Sequence, residues 1–208
     1  MLKTTFKHWL SVAALSLVAV GAHAQAAKAP DGLIKEISTD VLESVKADKT
    51  IQSGDIRKVT ALVDQKVLPY VDFQRMTSSA VGRYWRQATP DQQKRLQDEF
   101  KTLLVRTYSG ALSQVKEQTV QLKPMRGNPG DAEVVVRTEV RGKGDPIQLD
   151  YRLEKAAAGW KIFDVNVMGV WLVENYRNSF AQEISSNGID GLIAKMAERN
   201  KTAAANRS

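Results

Sequence analysis

Two aspartates are the residues whose type and setting could do chemistry. Asp72 sits in Pro69-Tyr70-Val71-Asp72-Phe73 and Asp164 in Phe163-Asp164-Val165, each an acid among apolar neighbours. A desolvated aspartate can abstract a proton as a general base, and a pair of carboxylates can hydrolyse a glycoside, if a pocket holds them at the right separation. Both also read as ordinary structure, a helix cap or a strand residue facing water, because many perturbed acids are structural. Little around them supports catalysis. The chain has no cysteine, and both histidines, His8 and His23, fall in the first 24 residues. Beyond that segment it cannot build a Ser-His-Asp triad, a Cys-His pair or a histidine-ligated zinc site. It shows no calcium loop, phosphate-cradling glycine loop or dinucleotide fingerprint, so no cofactor or metal is expected and the inventory favours binding over reaction.

The first 24 residues read as a cleaved secretory signal. Lys3 and Lys7 form the positive start, Trp9 to Val20 is an apolar run, and Ala22-His23-Ala24 is a small-x-small cleavage site. The run is shorter than the roughly 20 apolar residues of a membrane-spanning helix. Cleavage after Ala24 leaves 208 minus 24, or 184 residues, a length that suits one domain over residues 25–200 and a loose, small-residue tail over 201–208. Losing Lys3 and Lys7 takes the formal charge from +7 to +5. The remaining cations are interleaved with acids, as in Lys94-Arg95-Leu96-Gln97-Asp98-Glu99, which is a solvated helix face and argues against nucleic-acid binding. An exported chain without disulfides must hold itself together by burial.

The elements that would position any site follow from periodicity. Ile34, Ile37, Val41 and Val45, then Ile56, Val59, Val63 and Val67, recur at helical spacing, and Pro69 stops the second run. Thr89-Pro90-Asp91-Gln92 opens a third helix with a capping box, and its stripe runs through Leu96, Phe100, Leu103, Leu104, Tyr108, Leu112 and Val115. The period then changes to two. Four strands are predicted, through Val120 and Leu122, through Val134 to Val140, through Ile147 to Leu153, and through Trp160 and Ile162 with Val165 and Val167. Short glycine-rich turns between them require antiparallel pairing, and Gln148, Asp150, Arg152 and Glu154 give the sheet one wet face. Two helices, separated at Asn187-Gly188, close the chain. The pattern predicts an α+β fold, an antiparallel sheet of four strands or slightly more with helices on one face. Between the helices, Leu68 to Trp85 is rich in aromatics and aliphatics and serves either as core or as the wall of an apolar pocket.

Five motifs in order carry a resemblance: Leu68-Pro69-Tyr70-Val71-Asp72-Phe73, Ala88-Thr89-Pro90-Asp91-Gln92, Tyr108-Ser109-Gly110-Ala111-Leu112, Gly169-Val170 and Gly188-Ile189-Asp190-Gly191-Leu192. Together they resemble the MlaC, or toluene-tolerance, family of periplasmic phospholipid-binding proteins of Gram-negative bacteria. One departure is Trp171, where the family often has serine after Gly-Val. The resemblance implies an NTF2-like fold with an apolar lipid cavity between sheet and helices. It also implies a periplasmic, non-catalytic carrier that moves phospholipid between an outer-membrane lipoprotein complex and an inner-membrane ABC transporter with an MCE-domain subunit, and so maintains outer-membrane lipid asymmetry.

Motif position and periodicity together place Leu68, Tyr70, Phe73, Met76, Tyr84, Phe100, Leu104, Tyr108, Val136, Leu149, Tyr151, Val167, Leu172 and Tyr176 on the expected lining, with some serving as ordinary core. Arg83, Arg86 and Arg177 are candidates for contact with the lipid head group or with partners, their plainer reading being solvated surface. The carrier is expected to be a monomer that spans no membrane. Two other readings stay open: a periplasmic enzyme with an NTF2-like cup and an aspartate base acting on an apolar small molecule, and an adaptor that binds only envelope proteins and holds no ligand.

Overall fold

A computed structural model describes residues 28–205 apart from 126 and 129, with side chains through residue 202. The expected signal segment and cleavage site lie outside the described residues. Local sequence sets each helix boundary. Helix α1, Pro30–Ala47, begins on a proline whose missing N–H costs a first turn nothing. The Asp48 carboxylate caps the four-residue α2, Lys49–Gln52, and Asp55 caps α3, Ile56–Lys66. A 3₁₀ turn at Leu68–Tyr70 leads into α4, Phe73–Val81, and a second at Gly82–Gln87 leads into α5, Pro90–Leu112. The expected capping box is present, with the Thr89 side chain accepting from Gln92 N–H at 3.2 Å and the Thr89 N–H donating to the Gln92 side chain at 3.0 Å.

The strands are β1, Thr119–Leu122; β2, Glu133–Arg141; β3, Ile147–Ala156; β4, Gly159–Val167; and the two-residue β5, Val170–Trp171. They form one antiparallel sheet in the order β1-β2-β3-β4-β5, one short strand more than the four that periodicity marks. Helix α6, Leu172–Ala205, is broken at Gly188, whose φ of 72° lies outside the helical region, so the two expected closing helices meet at a sharp bend that brings Lys195 back to Glu183. Its backbone stays helical to Ala205, into the segment expected to be a loose tail; residues 206–208 lie outside the described residues.

One irregularity governs which side chains face inward. Tyr151 pairs with Val165 and Arg152 with Asp164, but Leu153 pairs with Ile162, so β4 carries an extra residue, Phe163. This bulge shifts the alternation. Trp160 and Ile162 before it share the inner face with Val165 and Val167 after it, while Asp164 and Asn166 turn to the outer face. The sequence shows that phase change in its 160, 162, 165, 167 spacing.

The outer face is less wet than its polar sequence predicts. Asp150, Asp164 and Asn166 are buried. At Asp164 the reason is tertiary: β5 pairs with the end of β4, and the first turn of α6 brings the Val173 N–H to the Asp164 carboxylate.

Apolar side chains divide into three clusters. The first joins α4, α5 and both halves of α6 through Met76, Leu96, Phe100, Tyr176, Phe180 and Ile193. The second joins the start of α1 to the sheet through Leu33, Ile34, Val136, Leu153 and Ile162. The third joins the end of α1 to α2, α3 and the later turns of α5 through Val45, Ile51, Val59 and Val105. Replacing Thr89 by Ala removes the cap of the helix that crosses from the first cluster to the third, and is expected to cost about 1 kcal/mol in urea unfolding.

Candidate functional site

Among the described residues, the three clusters meet through side chains that are themselves incompletely covered. Val41 bridges the second and third, Val71 and Val165 bridge the first and second, and all three are half-buried. Burial is graded along the inner face of β3: Leu153 is fully buried, Tyr151 and Leu149 are half-buried, and Ile147 is 39% exposed. Strand β4 repeats the gradient from Ile162 through Val165 and Val167, and ends at Met168, which is 70% exposed. Burial falls in the same way along one stripe of α5, with Phe100 sealed and Leu104, Tyr108 and Leu112 half-buried. The start of α1 therefore closes one end of the inner face and leaves the other end loosely covered.

The fourteen expected lining residues separate on this basis. Met76, Phe100, Val136, Leu172 and Tyr176 are buried, and the Phe100 ring is clamped by Tyr176 and Phe180, with ring centres 5.0 and 5.2 Å away. Phe73, Tyr84 and Leu104 are half-buried against the first cluster, and Tyr70 and Tyr151 against the second. Leu68, Tyr108, Leu149 and Val167 are half-buried and belong to none of the three. Val41 and Val165 were not singled out, although strand alternation through Val167 points to Val165. The exposed Ile147, Met168 and Val170 were not expected; the only trace of them in sequence is a methionine before Gly169-Val170.

Few polar groups reach the inner face. Burial pushes the Tyr151 phenol above its ordinary pKa, and its hydroxyl shares hydrogen bonds with Ser38 of α1 and Thr138 of β2. Tyr151 nevertheless keeps accessible surface, so it is enclosed by protein without being tightly covered. Tyr108 is raised in the same way, by burial and by the neighbouring Tyr176. A neutral phenol and two hydroxyls bonded to one another form a wall without charge.

The two aspartates are both tied to backbone. Asp72 caps α4, accepting from the Arg75 N–H at 2.8 Å. Asp164 accepts from the N–H groups of Val165 and Val173 and from Arg152, while burial raises its pKa against these three bonds. The expected head-group arginines lie elsewhere. Arg83 bonds to and stacks on Tyr84, Arg177 donates to the Ser79 carbonyl at 3.1 Å, and Arg86 is exposed. This places Arg83 and Arg177 beside the sealed first cluster. Trp171 is half-buried, with the Arg152 guanidinium 3.9 Å from its ring centre, and Arg152 is on the outer face; its partner therefore lies outside the inner wall.

Two pockets lie apart from most of these residues. One, of about 320 Å³, is bounded by Lys28, Tyr70, Trp160 and Lys161 at the sealed end of the sheet; the other, of about 90 Å³, lies between α5 and α6 near Tyr176 and Met196. The graded inner face is the better candidate, because it offers half-covered apolar side chains with few directional polar groups. No helix among the described residues is long and apolar enough to cross a membrane, and no group of acidic residues among them could hold a metal ion.

A graded apolar inner face beneath helices characterises this α+β protein. Residues 35–198 match the MlaC protein family, and the chain belongs to that family. It is 27% identical over 185 residues to the toluene tolerance protein ttg2D of Pseudomonas putida, covering 86% of each chain. It is 23% identical over 198 residues to the intermembrane phospholipid transport system binding protein MlaC of Haemophilus influenzae, covering 92% of each. A solved phospholipid-binding protein from Ralstonia solanacearum, in complex with a phospholipid, shares 48% identity and superposes with a TM-score of 0.81, over 84% of this chain and 98% of that one.

If Leu149 faces a loosely covered wall and Phe100 a sealed core, alanine at each will differ in cost. Phe100→Ala is expected to lose about 3–5 kcal/mol in urea unfolding, and Leu149→Ala about half of that or less.

Proposed function

We propose that this protein is a phospholipid carrier whose inner sheet face and α5 shelter acyl chains. The observation that carries the reading is the set of half-buried apolar side chains, Leu104, Tyr108, Leu149, Tyr151, Val165 and Val167, arranged between three otherwise sealed clusters. The phospholipid bound by the Ralstonia solanacearum relative supports it. Two acyl chains hold about 30 methylenes, and at about 0.8 kcal/mol each their removal from water is worth on the order of 20 kcal/mol. Lipid so held does not leave through water. Donor and acceptor are apolar too, so the net difference between pocket and bilayer must stay within a few kcal/mol and transfer runs by contact. An uncharged aliphatic and phenolic wall suits that task, because it accepts varied tails without reading them.

In this proposal the chain acts in the periplasm after cleavage near Ala24, as a monomer. It passes lipid between an outer-membrane lipoprotein complex and an inner-membrane MCE-domain ABC transporter, and so maintains outer-membrane lipid asymmetry. It performs no reaction, in keeping with the commitment of Asp72 and Asp164 to backbone N–H groups. Introducing a charge, as Leu104→Asp or Leu149→Asp, is expected to abolish co-purified phospholipid in native mass spectrometry while circular dichroism stays unchanged. Full lipid occupancy in both variants would contradict the assignment.

A further inference from the structure

On the outer face of the sheet, one buried carboxylate holds three elements. Asp164 on β4 is 1% exposed. Its Oδ1 accepts from the Val165 N–H at 2.9 Å and from the Val173 N–H of α6 at 3.1 Å. Its Oδ2 accepts from Nη1 of Arg152 on β3 at 3.1 Å. The Arg152 guanidinium in turn lies 3.9 Å from the ring centre of Trp171, the residue that immediately precedes α6. Asn166 completes the turn into β5 by accepting from the Gly169 N–H at 2.8 Å.

Val173 stands in the first turn of α6, where backbone N–H groups have no partner within the helix. A carboxylate brought from a neighbouring strand satisfies that donor and meets the positive end of the helix dipole. Arg152 cannot swing away freely, because its planar guanidinium is stacked on the Trp171 indole as well as bonded to Asp164. The same first turns of α6 supply Tyr176, whose ring packs on Phe100 and neighbours Tyr108 of the wall. The outer-face contact therefore fixes the sheet-side end of a helix that packs behind the wall, against Tyr108 and Val165.

We infer that Trp171, Arg152 and Asp164 act together as positioning residues that hold the start of α6 against the sheet and so set how readily the lipid wall yields during transfer. The inference rests on the carrier reading above. It assigns a role to Trp171 without placing it in contact with lipid. Release of a lipid must displace part of the wall, and a first turn held less firmly is displaced more easily. Serine at position 171 can neither stack on the guanidinium nor fill its place, whereas phenylalanine can stack.

The test uses the full mature chain loaded with a fluorescent phospholipid. It reads the rate of transfer to acceptor vesicles, the lipid stoichiometry by native mass spectrometry, and hydrogen exchange at the α6 first-turn amides including Val173. Trp171→Ser and Arg152→Gln are expected to load to wild-type stoichiometry, to release lipid about 5- to 30-fold faster, the range for loss of a partly desolvated cation–π contact, and to exchange the Val173 amide faster. Trp171→Phe should restore slow release. Wild-type release rates and wild-type exchange in both disruptive variants would overturn the inference while leaving the carrier reading intact. Release that Trp171→Phe accelerates as much as Trp171→Ser would also overturn it, since stacking would then not be the cause. A wild-type chain that takes up no phospholipid at all would instead overturn the carrier reading, and this inference with it.

Discussion

Apolar side chains that face one another across a domain normally close to crystal-like density, because any gap forfeits dispersion contacts. In this chain apolar side chains at one end of the inner sheet face and along α5 stay half-covered, and the other features of the structure make that tolerable. Three sealed clusters, anchored by Phe100, by Ile34 with Leu153, and by Val45 with Val59, supply the burial that the loosely covered region does not. No disulfide contributes, as the chain has no cysteine. The helix N-termini have side-chain partners, local ones in Asp55 for α3, Asp72 for α4 and the Thr89–Gln92 box for α5, and one from the neighbouring strand β4, Asp164, for α6. An apolar interior left loose can be stable only when the backbone polar groups around it already have partners.

The β-bulge at Phe163 links these demands. It lets one strand present Trp160 and Ile162 to the α1 cluster, Val165 and Val167 to the graded wall, and Asp164 to the outer face where α6 begins. A straight strand with unbroken alternation would put either Ile162 or Val165 on the wrong side. Arg75, reaching from α4 to Glu133 and Glu154 and stacking on the Phe163 ring 3.6 Å away, covers the irregular point from outside.

Much of this was legible in the sequence because local chemistry dictates it. The α5 capping box, the stop at Pro69, the break at Gly188 and even the bulge, visible as a phase change between Ile162 and Val165, follow from spacing and residue type. The candidate wall was legible only in part. Helical periodicity gives Phe100, Leu104 and Tyr108 the same face, yet Phe100 is enclosed by Tyr176 and Phe180 from a helix some 80 residues distant, while Leu104 and Tyr108 lie beyond that clamp. Nothing local distinguishes them. The burial of Asp164 was hidden for the same reason, since an acid alternating with apolar strand residues reads as solvent-facing until β5 and α6 fold over it. The stacking of Trp171 on Arg152 depends equally on strand pairing that brings β3, β4 and β5 side by side.

The most direct measurement is by nuclear magnetic resonance, on chain carrying ¹³C-labelled Leu and Val methyl groups and loaded with phospholipid of natural isotopic composition. Contacts from acyl methylenes to the methyl groups of Leu104, Leu149, Val165 and Val167, with none to those of the sealed Val45 and Leu153, are the predicted result. Methyl contacts from Leu149 and Val167 directly to Leu104, unchanged by lipid and accompanied by no acyl contact, would show an interior closed on itself and contradict the lipid-sheltering wall.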